Sequence, residues 1–323
     1  MEIALRSELL SDFNKISLVI REAFEIDFLN GNVPALHVSE VTWVDYLRHS
    51  EHYDNDLAIV ALVNNEIVGH IMYTPCNMRF YGIEVKAVAL SIVSVRPSFQ
   101  KCGIGKKLIE EGLKISREKG YQLSFVLGHP SYYPRFGYII NGFGESSIVI
   151  KSEFFQCIPN NIKEVAVQDH HMDQLVSMHY KTYEGVNVYG SPSRQIIEWK
   201  SISPHLKTSV LEEEDIKGYI RYVKHDNVIE VKKIVSNNNQ DLVKCISYIF
   251  QQNPNIKELK LPINPQSSIL DGLEYSKVCQ KWEASMLFKI DPKFSSFDKY
   301  MDDIQTNEEQ LGAFLWPMCL DLL

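Results

Sequence analysis

Residues 93–109 read VSVRPSFQKCGIGKKLI: an apolar run that stops at Arg96-Pro97, a polar turn carrying two glycines one residue apart, and an apolar run that resumes between lysines. The run that leads into it, VKAVALSIVSV (85–95), is nearly continuous in apolar residues and suits a central strand buried on both faces. Beyond the turn, Ile104, Leu108, Gly112, Leu113 and Ser116 recur at helical spacing with charges between them, and Gly120 closes the pattern as a C-cap. The stretch is therefore a loop that delivers a strand into a helix N-terminus. Such an end points several unpaired N–H groups outward, where the helix dipole also favours negative charge. Gly103 and Gly105 lack a Cβ and let a phosphate approach the main chain, while Gln100, Lys101 and Lys106 supply donors or charge. A glycine-containing turn with no ligand is the competing reading. Two other phosphate motifs fail: a Walker loop needs Ser or Thr after the lysine, where Lys107 stands, and a dinucleotide fingerprint needs a third glycine at Leu108.

Working outward, LAIVALVNNEIVGHIMYTPCNMRF (57–80) forms two strand-like runs broken at Asn64-Asn65, a tight hairpin signal, and YQLSFVL (121–127) is the strand after the helix. Upstream, Phe13, Ile16, Ile20 and Phe24 set an amphipathic helix over about 11–25, and SEVTWVDYLRHS (39–50) a less regular one. The order is α, α, β, β, β, loop, α, β. With 323 residues, 45% of them hydrophobic, the chain is long enough for two domains. A net charge of −8 without blocks of one sign argues against a nucleic-acid or membrane surface. No apolar stretch is long enough for a membrane span, and the first residues carry no secretory core, so a cytoplasmic protein is expected. Six scattered cysteines without a C-x-x-C pair, and His170-His171 without partners at ligand spacing, lead us to expect neither disulfide framework nor metal site.

VSVRPSFQKCGIGKKLI resembles the pyrophosphate-binding motif of the GNAT N-acetyltransferases, Q/R-x-x-G-x-G/A, between strand and helix in that family's order. LGHPSYYPRFGY (127–138) resembles the segment after the next strand in one bacterial branch, where a Tyr precedes x-x-x-G-F/Y. The resemblance covers roughly residues 1–150. It implies an α+β fold with a mixed twisted sheet and an acetyl-CoA co-substrate whose pantetheine arm lies along Val93, Ser94 and Val95. It further implies a pyrophosphate on Gln100, Lys101, Cys102, Gly103, Ile104, Gly105 and Lys106, with Cys102 given no nucleophilic part. The reaction implied is direct attack of an amine on the thioester, an oxyanion held by an N–H near Val93, and Tyr133 as the acid for the departing thiolate. Tyr132 is assigned a structural part. Some relatives place a Glu base on the central strand where this chain has Ala89, which leaves Glu25, Asp27, His129 or water.

The second half echoes the first. NEIVGHIMY (65–73) returns as EDIKGYIRY (214–222), and SIVSV (91–95) has its counterpart in KIVSN (233–237), followed by a helical stretch, DLVKCISYIFQQ, and a strand, IKELKLPI. HHMDQLVSMHYKTYE and SPSRQIIEWK supply two helical stretches before it. Neither the glycine loop nor the Tyr motif recurs. We expect a catalytic unit at 1–155, a degenerate copy at 156–290 that binds no coenzyme A, and a tail at 291–323 whose apolar end docks on a domain surface. The expected acceptor is a primary amine of a small molecule or peptide, with a homodimer left open. The rival classes are a non-catalytic acyl-CoA-binding regulatory protein and a partner-binding module without affinity for the nucleotide.

Overall fold

The computed structural model describes residues 1–29 and 39–314, the side chains of 25–29 excepted. In chain order the first half comprises β1 (Ala4–Ser7), α1 (Phe13–Leu29), α2 (Glu40–Arg48), β2 (Ala58–Val63), β3 (Glu66–Phe80), β4 (Ile83–Val95), α3 (Ile104–Glu118), β5 (Leu123–Leu127), β6 (Ile139–Ile140) and β7 (Gly144–Lys151). The second comprises β8 (Lys163–Val165), α4 (Met172–Thr182), β9 (Val188–Gly190), β10 (Lys207–Glu212), β11 (Ile216–His225), β12 (Val228–Ser236), α5 (Asn239–Gln252), β13 (Glu258–Leu261), β14 (Ser276–Lys281), β15 (Ser285–Lys289) and α6 (Ser295–Thr306).

The expected hairpin forms between β2 and β3, with Asn64 and Asn65 at φ 49° and 65°, the two left-handed residues such a turn requires. β1, a four-residue edge strand, is absent from the sequence reading. In the first sheet, α1 and α2 pack on one face through Ile16, Ile20, Trp43 and Leu47, and α3 on the other through Ile104, Leu108 and Leu113. The second sheet is covered by α5 on one face and α4 on the other. SPSRQIIEWK does not form a second helix there; only a 3-10 turn at 196–199 does.

The two sheets exchange strands. The first runs β1-β2-β3-β4-β5-β15-β6, with β9 on β3, and the second β14-β7-β13-β12-β11-β10-β8. β15, from the end of the chain, pairs antiparallel with β5 from Ser285–Leu127 to Lys289–Leu123. β7 leaves the first half and pairs with β13 and β14 instead. Segments 1–155 and 156–290 are thus not separable in space, although each sheet follows the same plan. α6 is likewise no surface tail: Phe297, Tyr300 and Ile304 are buried in the first unit's core, and the Tyr300 hydroxyl donates to Gly142 O at 2.9 Å. The apolar end beyond Phe314 lies outside the described residues.

The repeat is also visible in the ladder. The hairpins β2–β3 and β10–β11 are both irregular at matching places, Ala61/Leu62 and Leu211/Glu212. Gly69 pairs with Val95, and Gly218 with Ser236. The counterpart of SIVSV is therefore KKIVS (232–236), one residue earlier than sequence similarity places it. A one-residue slip would exchange the faces of the strand, and the sheet does not permit it.

Candidate active site

The site follows from a failure of pairing. β4 and β5 run parallel but are in register only at Ala87–Leu123, Val88–Ser124 and Ala89–Phe125; past Leu90 they part. The irregularity between Tyr73–Leu90 and Met72–Ile92 leaves Ser91 as the extra residue of a β-bulge, which increases the twist where the strands diverge. Arg96 N bonds to Val68 O on β3, so by antiparallel alternation the main-chain groups of Val93 and Val95 face away from β3, into the gap. Gln100 Nε2 donates to Val95 O at 3.1 Å across that side.

The gap continues as a cleft of about 1090 Å³. The loop from the sequence reading lines it. Lys101 and Gly103 adopt φ 61° and 82°, and Gly103 is the N-cap of α3 without any side-chain cap, so the first amides of α3 stay open. The first turn contains no acidic residue. At Gly105 a Cβ would stand 2.6 Å from the Tyr132 hydroxyl, so Tyr132 reaches across to the loop because residue 105 has no side chain. Phe24, Glu40, Trp43 and His129 are also in the lining.

Tyr133 lines the same cleft. It is 9% exposed, and its ring lies against Gly128, where a Cβ would come within 2.3 Å of Cε2. Tyr132 and Tyr138 make edge contacts with it at 5.3 and 5.9 Å, and Tyr138 is anchored by Ser124 at 2.7 Å. Burial pushes the Tyr133 phenol well above its ordinary pKa, with a smaller contribution from Tyr132, so it carries its proton throughout the working pH range.

Of the residues predicted to bind the co-substrate, Val93, Val95, Gln100, Lys101, Gly103, Ile104, Gly105 and Lys106 line one cleft with Tyr133. Ser94 and Cys102 do not. Ser94 is buried on the opposite face, 3.5 Å from His70 O, and Cys102 is exposed outside the lining. Among the candidate bases His129 is in the cleft, whereas the side chains of Glu25 and Asp27 lie outside the described residues. Glu40, in the first turn of α2, lines the cleft too and was missed: nothing in its local sequence separates it from a helix-start carboxylate.

Around His70 of β3 lies a buried ionic cluster, also unread in the sequence. Glu8 receives Arg48 Nη2 at 2.8 Å, His70 Nε2 at 3.0 Å and the Tyr53 hydroxyl at 2.9 Å. Burial alone would raise the Glu8 pKa, but hydrogen bonds and charge from Arg48 and His70 outweigh it and hold the carboxyl at about 2. Burial lowers the pKa of His70; its Nε2–H donates to Glu8 and its Nδ1 has no partner among the described residues.

Comparison with known proteins follows the same division. Residues 15–140 match the sequence profile described as an acetyltransferase (GNAT) domain. Over 99 residues, 31% of the chain, the protein is 35% identical to the uncharacterized N-acetyltransferase YjhQ of Escherichia coli K12; the match spans 55% of that relative's length. Among solved structures, a probable N-acyltransferase from Enterococcus faecalis V583 superposes with a TM-score of 0.65 at 13% identity, over 90% of this chain and 73% of the other. Eis1 from Mycobacterium abscessus superposes with a TM-score of 0.60 at 16% identity, over 90% and 74%. At these identities the likeness concerns the fold, and it extends over both sheets.

Proposed function

This chain belongs to the GNAT N-acetyltransferase family, and from that premise we propose that its cleft moves an acetyl group from acetyl-CoA to a primary amine of a small molecule or peptide. The pyrophosphate rests on the open amides at Gly103 to Lys106. The pantetheine arm lies along Val93 and Val95 as an added strand, using the groups that β5 leaves unpaired. Ser94 takes no part, because its main chain is committed to β3 and its side chain to the opposite face.

The acceptor nitrogen attacks the thioester carbonyl: an N–C bond forms and the carbonyl electrons move to oxygen, where the Val93 N–H stabilises the oxyanion. Collapse breaks the C–S bond, and the thiolate takes the Tyr133 proton, which solvent later restores. Transfer from a phenol of ordinary pKa to a thiolate near 8.5 is uphill by roughly 2 kcal/mol, and burial of Tyr133 steepens this. Contact between the hydroxyl and the developing thiolate must offset the difference. The amine's proton goes to His129 or Glu40, the imidazole and carboxylate in the cleft lining, directly or through water.

The observation that carries the reading is Tyr133 in the same cleft as an uncapped helix end. Its test is Tyr133→Phe: kcat should fall about 100-fold with the KM for acetyl-CoA within about threefold. A rate near that of the parent would refute the acid role, and acetyl-CoA binding without acetylation of any amine in a broad panel would favour an acyl-CoA sensor.

A further inference from the structure

We propose that Glu51, His52 and Glu198 form a binding site for a divalent transition-metal ion of the zinc class, at the seam between the two units and away from the cleft. The sequence reading expects no metal, and Glu198 lies 146 positions from His52, at no ligand spacing. The fold brings them together. One potential ligand atom from each lies within 4.8 Å of the others.

Three observations support an ion at this place. His52 Nε2 is 2.7 Å from Glu198 Oε1 and 3.9 Å from Glu51 Oε1, distances that bracket the ligand-to-ligand spacing of about 3.0–3.4 Å around an ion with bonds near 2.1 Å. Apart from their contact with each other, His52 Nε2 and Glu198 Oε1 are buried without a hydrogen-bond partner among the described residues, so both can turn to one ion. Glu198 is only 2% exposed, and a carboxylate so buried is stabilised more by a divalent ion than by one neighbouring imidazole.

The surroundings hold these groups in place as an outer shell does for metal ligands. The Ser193 hydroxyl donates to Glu51 Oε1, and Gln195 Oε1 accepts the Glu51 N–H at 2.8 Å. Arg221 Nη2 donates to the carbonyls of Glu198 and Lys200 at 3.0 and 2.9 Å, which fixes the 3-10 turn carrying Glu198. An adjoining cavity of about 430 Å³, lined by Glu51 and His52, gives water access to the remaining coordination positions. One imidazole and two carboxylates are a donor set that zinc accepts and that magnesium, with no nitrogen preference, does not single out. A bound ion would clamp the C-terminal end of α2 to the second unit.

The test uses the full chain, stripped with chelator and titrated with zinc chloride by calorimetry, with retained zinc counted by mass spectrometry after desalting. One zinc per chain is expected, with a raised melting temperature and no comparable response to magnesium. Glu51→Gln and Glu198→Gln should each weaken binding at least tenfold. Glu51 is exposed, so its variant keeps the test valid if Glu198→Gln fails to fold. No retained zinc, or the same affinity in Glu51→Gln as in the parent, would overturn the proposal and leave a His52–Glu198 ion pair.

Discussion

The N-termini of α3 and α5 occupy equivalent places in two copies of one plan, yet only one of them is open. α3 begins at a left-handed glycine with no side-chain cap and no acid in its first turn. α5 begins at Asn238, whose Oδ1 accepts the Asp241 N–H at 2.9 Å, and Asp241 adds negative charge where a phosphate would sit. The neighbouring chain closes the rest: Asn239 Nδ2 bonds to the carbonyls of Ile269 and Asp271, Ser236 N to Thr182 Oγ1, and the Ser267 hydroxyl to Thr182 O. The same helix end serves as an anion site or as a sealed structural joint according to whether its amides are satisfied from within.

The strand exchange offers the most severe break of this pairing. Residues 1–155 alone lose β15, with Met286 and Leu287 fully buried, and Ile290 beside it, together worth about 5–9 kcal/mol. We expect that fragment to show no cooperative melting transition and no acetyl-CoA affinity; a folded fragment would mean that β7 can return to the place β15 holds.

Next in size is the anchoring of each sheet. The first unit depends on the Glu8 cluster, whereas in the second the position matching His70 is Tyr219, whose hydroxyl donates to Trp199 O at 2.8 Å. Glu8→Gln leaves the buried Arg48 with only the exposed carboxylate of Asp45 and should cost about 3 kcal/mol in denaturant titration. Because the folded-state pKa of Glu8 lies below its ordinary 4.5, its contribution, on the order of 3 kcal/mol, is complete above pH 4.5 and drains away as pH falls toward 2. Acid unfolding followed by residue-resolved NMR should therefore begin in the first unit; simultaneous loss of both sheets would contradict this.

Giving α3 the closed character of α5 sharpens the contrast on a smaller scale. Gly103→Asp places a carboxylate at the open amides, and acetyl-CoA affinity measured by calorimetry should fall at least tenfold, about 1.4 kcal/mol, with the fold retained. The mirror change, Asn238→Ala, should lower stability by about 1 kcal/mol and leave acetyl-CoA affinity unchanged.

Local chemistry explains what could be read in advance. The Asn64-Asn65 turn, the buried face of α3 and the bare glycines of its entry are each specified within a few residues, so pattern alone located them. Ser94 shows the limit of motif transfer: it belongs to the matching segment, but the pleat turns its side chain away. Glu8, Arg48 and His70 carry no local signal, since each becomes informative only opposite the others.

By itself, then, the sequence determined the central strands and helices of each copy and their order, the duplication and the open end of α3, because periodicity, capping and backbone freedom are short-range properties. Only the tertiary structure decided which sheet receives β7 and β15, the true register of the repeat, and the meeting of Glu51, His52 and Glu198. Those outcomes depend on pairing and burial between distant segments, for which many apolar strands have the right composition and only one arrangement satisfies both sheets.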